Sequence, residues 1–217
     1  MIAKEGFSTL LVGAVPVALF GFLVSVSPAW WSWLLLAVFG AIFLLLLYFF
    51  RDPERTVPSV DEGVILSPAD GKVVLIQETE ETEYIHGKAI QISIFLSPLD
   101  VHVNRNPVSG LLEYLRYYPG KYLMAWEDHA SELNERAHFG VRLSDGTKIL
   151  FKQITGFLAR RIVYHTKEGD DLKAGARFGI MKFGSRMDVL VPPDFNIHVQ
   201  KGDRTVAGES IIAKRSS

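Results

Sequence analysis

Between Gly6 and Phe50 the chain runs for 45 residues without one Asp, Glu, Lys or Arg. A helix of about 20 apolar residues is enough to span the hydrocarbon core of a bilayer. The run is too long for one span and about right for two, divided at Ser27-Pro28-Ala29. It is also too long for a signal peptide, and no A-x-A-like site closes it. Trp30, Trp31 and Trp33 stand just after the divider, where aromatic side chains gather at a membrane interface. Lys4 precedes the pair and Arg51 and Arg55 follow it, while the connection carries no positive charge. The positive-inside rule therefore places both ends, and the domain that follows, in the cytoplasm at the cell membrane. The alternatives are a buried hairpin of core helices and a hairpin that dips into one leaflet, with Pro16 bending its first arm.

The rest of the chain, residues 51–217, is long enough to bury a core of its own. Pro58 ends any continuation of the helix. Short apolar runs follow. Val64-Ile65-Leu66 leads through Ala69-Asp70-Gly71 to Val73-Val74-Leu75-Ile76, and Asp-Gly between apolar runs signals a turn. Ala89 to Leu96 nearly alternates and reads as a strand, as does Lys148 to Ile154. Tyr122 to Ala137 is the one stretch that reads as soluble helix or as a long loop. Gly169-Asp170-Asp171-Leu172-Lys173-Ala174-Gly175 recurs as Gly202-Asp203-Arg204-Thr205-Val206-Ala207-Gly208. Each copy leads into an apolar strand, Phe178 to Met181 and Ile211 to Ala213, and its glycines permit positive φ. The expected fold is α+β: a hydrophobic helical hairpin over residues 1–50, then a mainly β domain over 51–217. The two copies give that domain a pseudo-symmetric sandwich that resembles biotinyl and lipoyl carriers.

Composition removes several function classes. A net charge of −1 offers no basic field for nucleic acid. The absence of cysteine excludes disulfides, thiolate metal sites and cysteine nucleophiles. Histidines and carboxylates show no metal-ligand spacing such as H-x-x-x-H, so no metal is expected.

Between the two repeat copies lies Ile180-Met181-Lys182-Phe183-Gly184-Ser185-Arg186-Met187-Asp188-Val189-Leu190-Val191. Gly184-Ser185 interrupts two apolar segments, so the chain bends there and presents a hydroxyl at the bend. That arrangement suits attack by Ser185 Oγ on the carbonyl of Gly184, where no side chain obstructs the approach. A serine hydroxyl is a weak nucleophile unless a base takes its proton.

Six motifs occur in one order: Arg51-Asp52-Pro53-Glu54-Arg55, Ser67-Pro68-Ala69-Asp70-Gly71, His102-Val103-Asn104-Arg105-Asn106-Pro107, Asn134-Glu135-Arg136, Ala159-Arg160-Arg161-Ile162-Val163 and Phe183-Gly184-Ser185-Arg186. Together they resemble the short bacterial and archaeal form of phosphatidylserine decarboxylase, over nearly the whole chain. The resemblance implies that Ser185 attacks Gly184 and that elimination frees chain 1–184. Loss of ammonia then leaves a pyruvoyl group on chain 185–217, and the two chains stay associated. That group, an electron sink built from the protein itself, would decarboxylate phosphatidylserine to phosphatidylethanolamine in a phospholipid membrane. Asp70 corresponds to the family carboxylate that orients the base, and His102 to a family histidine that moves protons. Arg105, Arg136, Arg160 and Arg161 are the matched cations for the substrate's phosphodiester and carboxylate. Longer members carry Leu-Gly-Ser-Thr at the cut and a second histidine where Arg105 stands here, which leaves His102 as the motif histidine for both steps. His129 and His138 are reserve candidates, and His86, His165 and His198 read as surface residues.

A rival of another class is a carrier modified at Lys182, since Met181-Lys182 echoes the modified Met-Lys of biotinyl domains. Phe183-Gly184-Ser185 departs from the carrier pattern, and that reading leaves Asp70 and His102 unused. A third reading keeps the enzyme class and changes the lipid to a serine phospholipid such as archaetidylserine.

Overall fold

The computed structural model describes residues 1–59, 61–120, 134–156, 162–181 and 185–216. The chain divides into two compact units, Met1–Glu54 and Arg55–Ser217.

In the first unit α1 (Phe7–Val26) and α2 (Trp30–Phe49) form a hairpin. Ser27-Pro28-Ala29 separates them, and the Ser32 hydroxyl donates back to the Ala29 carbonyl at 2.7 Å as α2 begins. The two ends are clipped together by Ala3 N–H donating to Phe50 O at 2.8 Å and Asp52 N–H to Met1 O at 2.7 Å. Phe20 and Phe39 stack across the pair with centroids 5.2 Å apart. Both helices are long and apolar enough to cross a membrane. Their apolar side chains point mostly away from each other: Leu11, Phe22, Trp30 and Leu44 are all more than half exposed. In water each square ångström so exposed is unfavourable by roughly 25 cal/mol.

Among its described residues the second unit has fourteen strands, all paired antiparallel. They are β1 (Val64–Leu66), β2 (Gly71–Glu81), β3 (Gly87–Leu96), β4 (Val103–Arg105), β5 (Gly110–Tyr118), β6 (Arg136–Arg142) and β7 (Lys148–Thr155), followed by β8 (Ile162–Tyr164), β9 (Asp171–Leu172), β10 (Arg177–Met181), β11 (Ser185–Val191), β12 (Phe195–Ile197), β13 (Arg204–Thr205) and β14 (Ile211–Arg215). Eight form one sheet in the order β13-β2-β3-β11-β7-β6-β5-β9, and two three-stranded sheets run β1-β14-β12 and β4-β10-β8. Period-two alternation decides the faces. Ile92, Ile94 and Leu96 of β3, Met187, Val189 and Val191 of β11, and Ala137, Phe139 and Val141 of β6 all point into one core. Phe139 packs there against Phe151 at 5.0 Å and Phe178 at 5.2 Å.

The repeated glycine turns form the centre of a pseudo-two-fold. Gly169, Gly175, Gly202 and Gly208 all take positive φ, between 74° and 106°, a region open to glycine with little strain. A second repeat accompanies the first: Leu66 to Val73 is matched by Arg105 to Leu112. Leu66 N–H donates to Pro107 O at 2.8 Å, and Arg105 N–H returns to Pro68 O at 2.9 Å. Gly208 N–H donates to Ser67 O and Gly175 N–H to Asn106 O, each at 2.8 Å. Ala207 N–H donates to Asp70 Oδ1 at 2.8 Å where Ala174 N–H donates to Ser109 Oγ at 2.9 Å. The two three-stranded sheets are equivalents under the same relation.

Two expectations need adjusting. The runs around Ala69-Asp70-Gly71 are strands joined by a turn, but they do not pair: β1 goes to β14 and β2 to β3 and β13. Arg136 and Ala137 do not end a helix. They open β6, because Ala137, Phe139 and Val141 alternate into the core. The earlier part of that stretch, residues 122–133, lies outside the described residues.

Candidate active site

Ser185 is the first residue of β11, flanked by Leu96 of β3 and Thr155 of β7. It is fully buried. Alternation places its side chain on the core face with Met187 and Val189. Its Oγ has no hydrogen-bond partner among the described residues. Leaving a buried hydroxyl unsatisfied costs about 1–3 kcal/mol, which chains tolerate chiefly where the atom has a task.

The neighbouring strand fixes the surroundings of Ser185. Thr155 donates N–H to Glu135 O at 2.9 Å and its hydroxyl to the same oxygen at 3.1 Å. Asn134 Nδ2 donates to Thr155 O at 2.7 Å. The Asn134-Glu135-Arg136 motif thus reaches the site through the backbone of Thr155. The buried Glu135 carboxylate accepts the Tyr117 hydroxyl at 2.9 Å on one oxygen, and its other oxygen has no partner among the described residues.

His102 is fully buried just before β4. Its carbonyl accepts from Met181 N–H at 3.2 Å, at the end of β10 that leads toward Ser185. Its Nδ1 lies 3.0 Å from Asp100 O. A carbonyl can only accept, so Nδ1 carries a proton, and in the neutral ring Nε2 then holds the lone pair that a base needs. Asp100 is itself held, its carboxylate taking Ser97 N–H at 2.8 Å and the Arg204 guanidinium. The group that orients His102 here is therefore the carbonyl of Asp100. Asp70 is not hydrogen bonded to His102: Oδ2 accepts from Arg55 Nη2 at 2.7 Å and Oδ1 from Ala207 N–H.

The matched arginines have different surroundings. Arg105 is buried, donates Nη1 to Gly175 O at 2.8 Å, and lays its stem where a side chain on Gly208 would come within 2.8 Å. Arg136 is half-buried with its guanidinium 4.5 Å over the Tyr118 ring. Gly184, Arg160, Arg161, Lys182 and His129 lie outside the described residues. His86, His165 and His198 are exposed.

His138 sits on the sheet face opposite the core, buried beneath the β2–β3 connection. Its Nδ1 meets Glu83 Oε2 at 2.8 Å, and the same oxygen accepts Tyr118 OH at 2.9 Å and Tyr114 OH at 3.0 Å. Burial, reinforced by the positive charge of Lys152, lowers the His138 pKa to about 4. Burial pushes Glu83 upward, but the hydrogen bonds from His138 and both tyrosines outweigh it and hold the carboxyl below its usual range. On that same face Arg186 and Asp188 form a buried ion pair at 2.6 Å. Its signal in the chain is a pair of opposite charges two residues apart inside an apolar strand. Among the described residues no group of three or more His, Asp or Glu side chains could hold a metal ion.

Comparison with known proteins bears on this arrangement directly. The family model described as phosphatidylserine decarboxylase matches residues 42–213. A phosphatidylserine decarboxylase proenzyme of Salinibacter ruber is 54% identical over 189 residues, covering 85% of this chain and 82% of its own. That of Symbiobacterium thermophilum is 45% identical over 214 residues, 99% of this chain and 95% of its own. That of Cytophaga hutchinsonii is 43% identical over 216 residues, 98% of each. A match over most of both lengths means that this chain belongs to the phosphatidylserine decarboxylase family.

Proposed function

We propose that the protein decarboxylates phosphatidylserine to phosphatidylethanolamine at a membrane, using a pyruvoyl group made from Ser185 when the chain cuts itself after Gly184. The observation that carries this reading is the buried Ser185 Oγ, without a hydrogen-bond partner among the described residues, at the head of a central strand. In the cut, the Oγ bonds to the Gly184 carbonyl carbon as the C–N bond breaks, which exchanges an amide for an ester. Removal of the Cα proton expels the Gly184 carboxylate from Cβ, and one water enters as one ammonia leaves. The outcome suits the site. The hydroxymethyl side chain of Ser185 becomes a methyl group at a position on the core face of β11 shared with Met187. A pyruvoyl group supplies an electrophilic carbonyl for the substrate amine and a place for the electron pair left by carbon dioxide.

The chain's own residues do the rest. His102, with Nδ1–H turned to Asp100 O, offers Nε2 to accept and return a proton. Asp70, held by Arg55 and the Ala207 amide, supplies the carboxylate that the family resemblance assigns to the proton transfers. Arg105, Arg136, Arg160 and Arg161 supply positive charge for an anionic head group. The helical hairpin holds the domain at the lipid surface, with both hairpin ends on the cytoplasmic side.

Ser185→Ala tests the reading. The variant gives one uncut chain of 217 residues with no release of carbon dioxide from phosphatidylserine. Wild type gives two chains whose masses place the break between 184 and 185, with ammonia lost from the shorter. Two chains from the alanine variant would end the assignment, and an archaetidylserine arm in the assay separates the two lipid backbones.

A further inference from the structure

On the face of β11 turned away from the core, the residue after Ser185 makes contacts that the chemistry above does not use. Arg186 is 1% exposed and is the largest fully buried side chain among the described residues. Its Nε donates to Asp188 Oδ1 at 2.6 Å and its Nη2 to Ser93 Oγ at 2.7 Å. Asp188 and Ser93 are equally buried, and Gln91 Nε2 donates to both Asp188 Oδ2 at 3.1 Å and Ser93 Oγ at 3.0 Å. The register explains the cluster. Arg186 and Asp188 are two apart and share a face, and Asp188 lies directly opposite Ser93 of β3.

A guanidinium is tolerated out of water only while paired and hydrogen bonded, so this side chain permits one position of the strand. A slip of β11 by two residues would carry the Arg186–Asp188 pair along with the strand but take it away from Ser93 and Gln91 of β3, leaving buried charged groups short of hydrogen bonds, whereas an apolar pair there has no such bonds to lose. That restriction matters once the backbone opens. Before the cut Ser185 is held by covalent links on both sides. Afterwards it is a chain end, and chain ends fray unless something ties them down.

We propose that Arg186 is a positioning residue: its bond to Ser93 of β3, with its ion-pair partner Asp188 held by Gln91 of the same strand, keeps the newly made end of β11 in register, so that the group formed from Ser185 stays where the uncut chain had placed it. The inference depends on the self-cleavage proposed above.

The test compares amide hydrogen exchange in β11 before and after the cut. Ser185→Ala provides the uncut form in every background. R186M/D188L removes both charges and leaves none buried alone, R186K keeps the charge but loses the planar fork, and Ser93→Ala removes a single contact. In uncut chains, exchange at residues 186–188 should stay within about twofold of the parent. In cut chains R186M/D188L should raise it by about tenfold or more, with kcat falling and KM nearly unchanged, and R186K and Ser93→Ala should lie between. Equal protection of the cut chains with and without the pair would overturn the proposal. An equal rise in the uncut chains would also overturn it, because the pair would then serve general stability. Wild type that remains a single chain would remove the self-cleavage reading itself, an outcome separate from either.

Discussion

Asp70 shows how one side chain can serve two ends. Ser109, its counterpart under the pseudo-two-fold, accepts one backbone amide with a hydroxyl, and Asp70 Oδ1 does the same for Ala207. Its second oxygen and its charge, engaged by Arg55, have no counterpart at Ser109. Asp70→Asn keeps the Oδ1 acceptor and removes the charge. If the carboxylate takes part in proton movement, the cut should slow by about 100-fold, the usual scale for one acid–base group, with the melting temperature shifted only slightly. A time course on a denaturing gel measures this, and cutting at the parent rate would assign Asp70 to the turn alone. His138 makes a prediction of a different kind. Its folded pKa of about 4 lies below the unfolded value near 6.5, so the fold favours the neutral ring. Its contribution is complete above about pH 6.5 and falls away as pH drops toward 4, a loss of about 2 kcal/mol by pH 5. Glu83 loses its own contribution only at lower pH, because its folded pKa is depressed. Urea unfolding of the uncut Ser185→Ala chain at pH 7 and pH 5 should show the difference, and adding His138→Gln should largely remove it.

At the scale of elements, the hairpin and the β unit have separate tasks. The hairpin's outward side chains are apolar along both helices, while the soluble unit encloses its own core from Ile65 to Ala213. Removing residues 1–50 should release the protein from membranes and leave self-cleavage at the parent rate. Flotation with phospholipid vesicles checks the first and a gel the second. Continued flotation would reveal a second lipid-binding surface on the β unit.

For the molecule as a whole, the placement of β11 decides what a cut can do. The segment from Ser185 onward contributes β11 between β3 and β7, β13 beside β2, and β14 beside β1. Chains 1–184 and 185–217 are therefore expected to elute together in native chromatography and to part only in denaturant. Separation without denaturant would contradict strands shared between two sheets.

The amino-acid sequence by itself determined the features that local chemistry specifies. These are the uncharged hairpin, the alternating strands β3 and β7, the glycine turns that need positive φ, and Ser185 at a break between apolar runs. Period and backbone sterics are properties of short segments, so they are legible without the fold. The matching of Leu66–Val73 to Arg105–Leu112 escaped notice because Ser109 and Asp70 share a hydrogen-bonding role and not a residue type. Only the tertiary structure decided which groups meet: Asp100 O on His102 Nδ1, Arg55 on Asp70, Asn134 beside the neighbour of Ser185, and Ser93 on Arg186. Most of these join residues distant in the chain, and Ser93 of β3 meets Arg186 of β11 through sheet register, which is fixed by burial of the whole core rather than by any one segment.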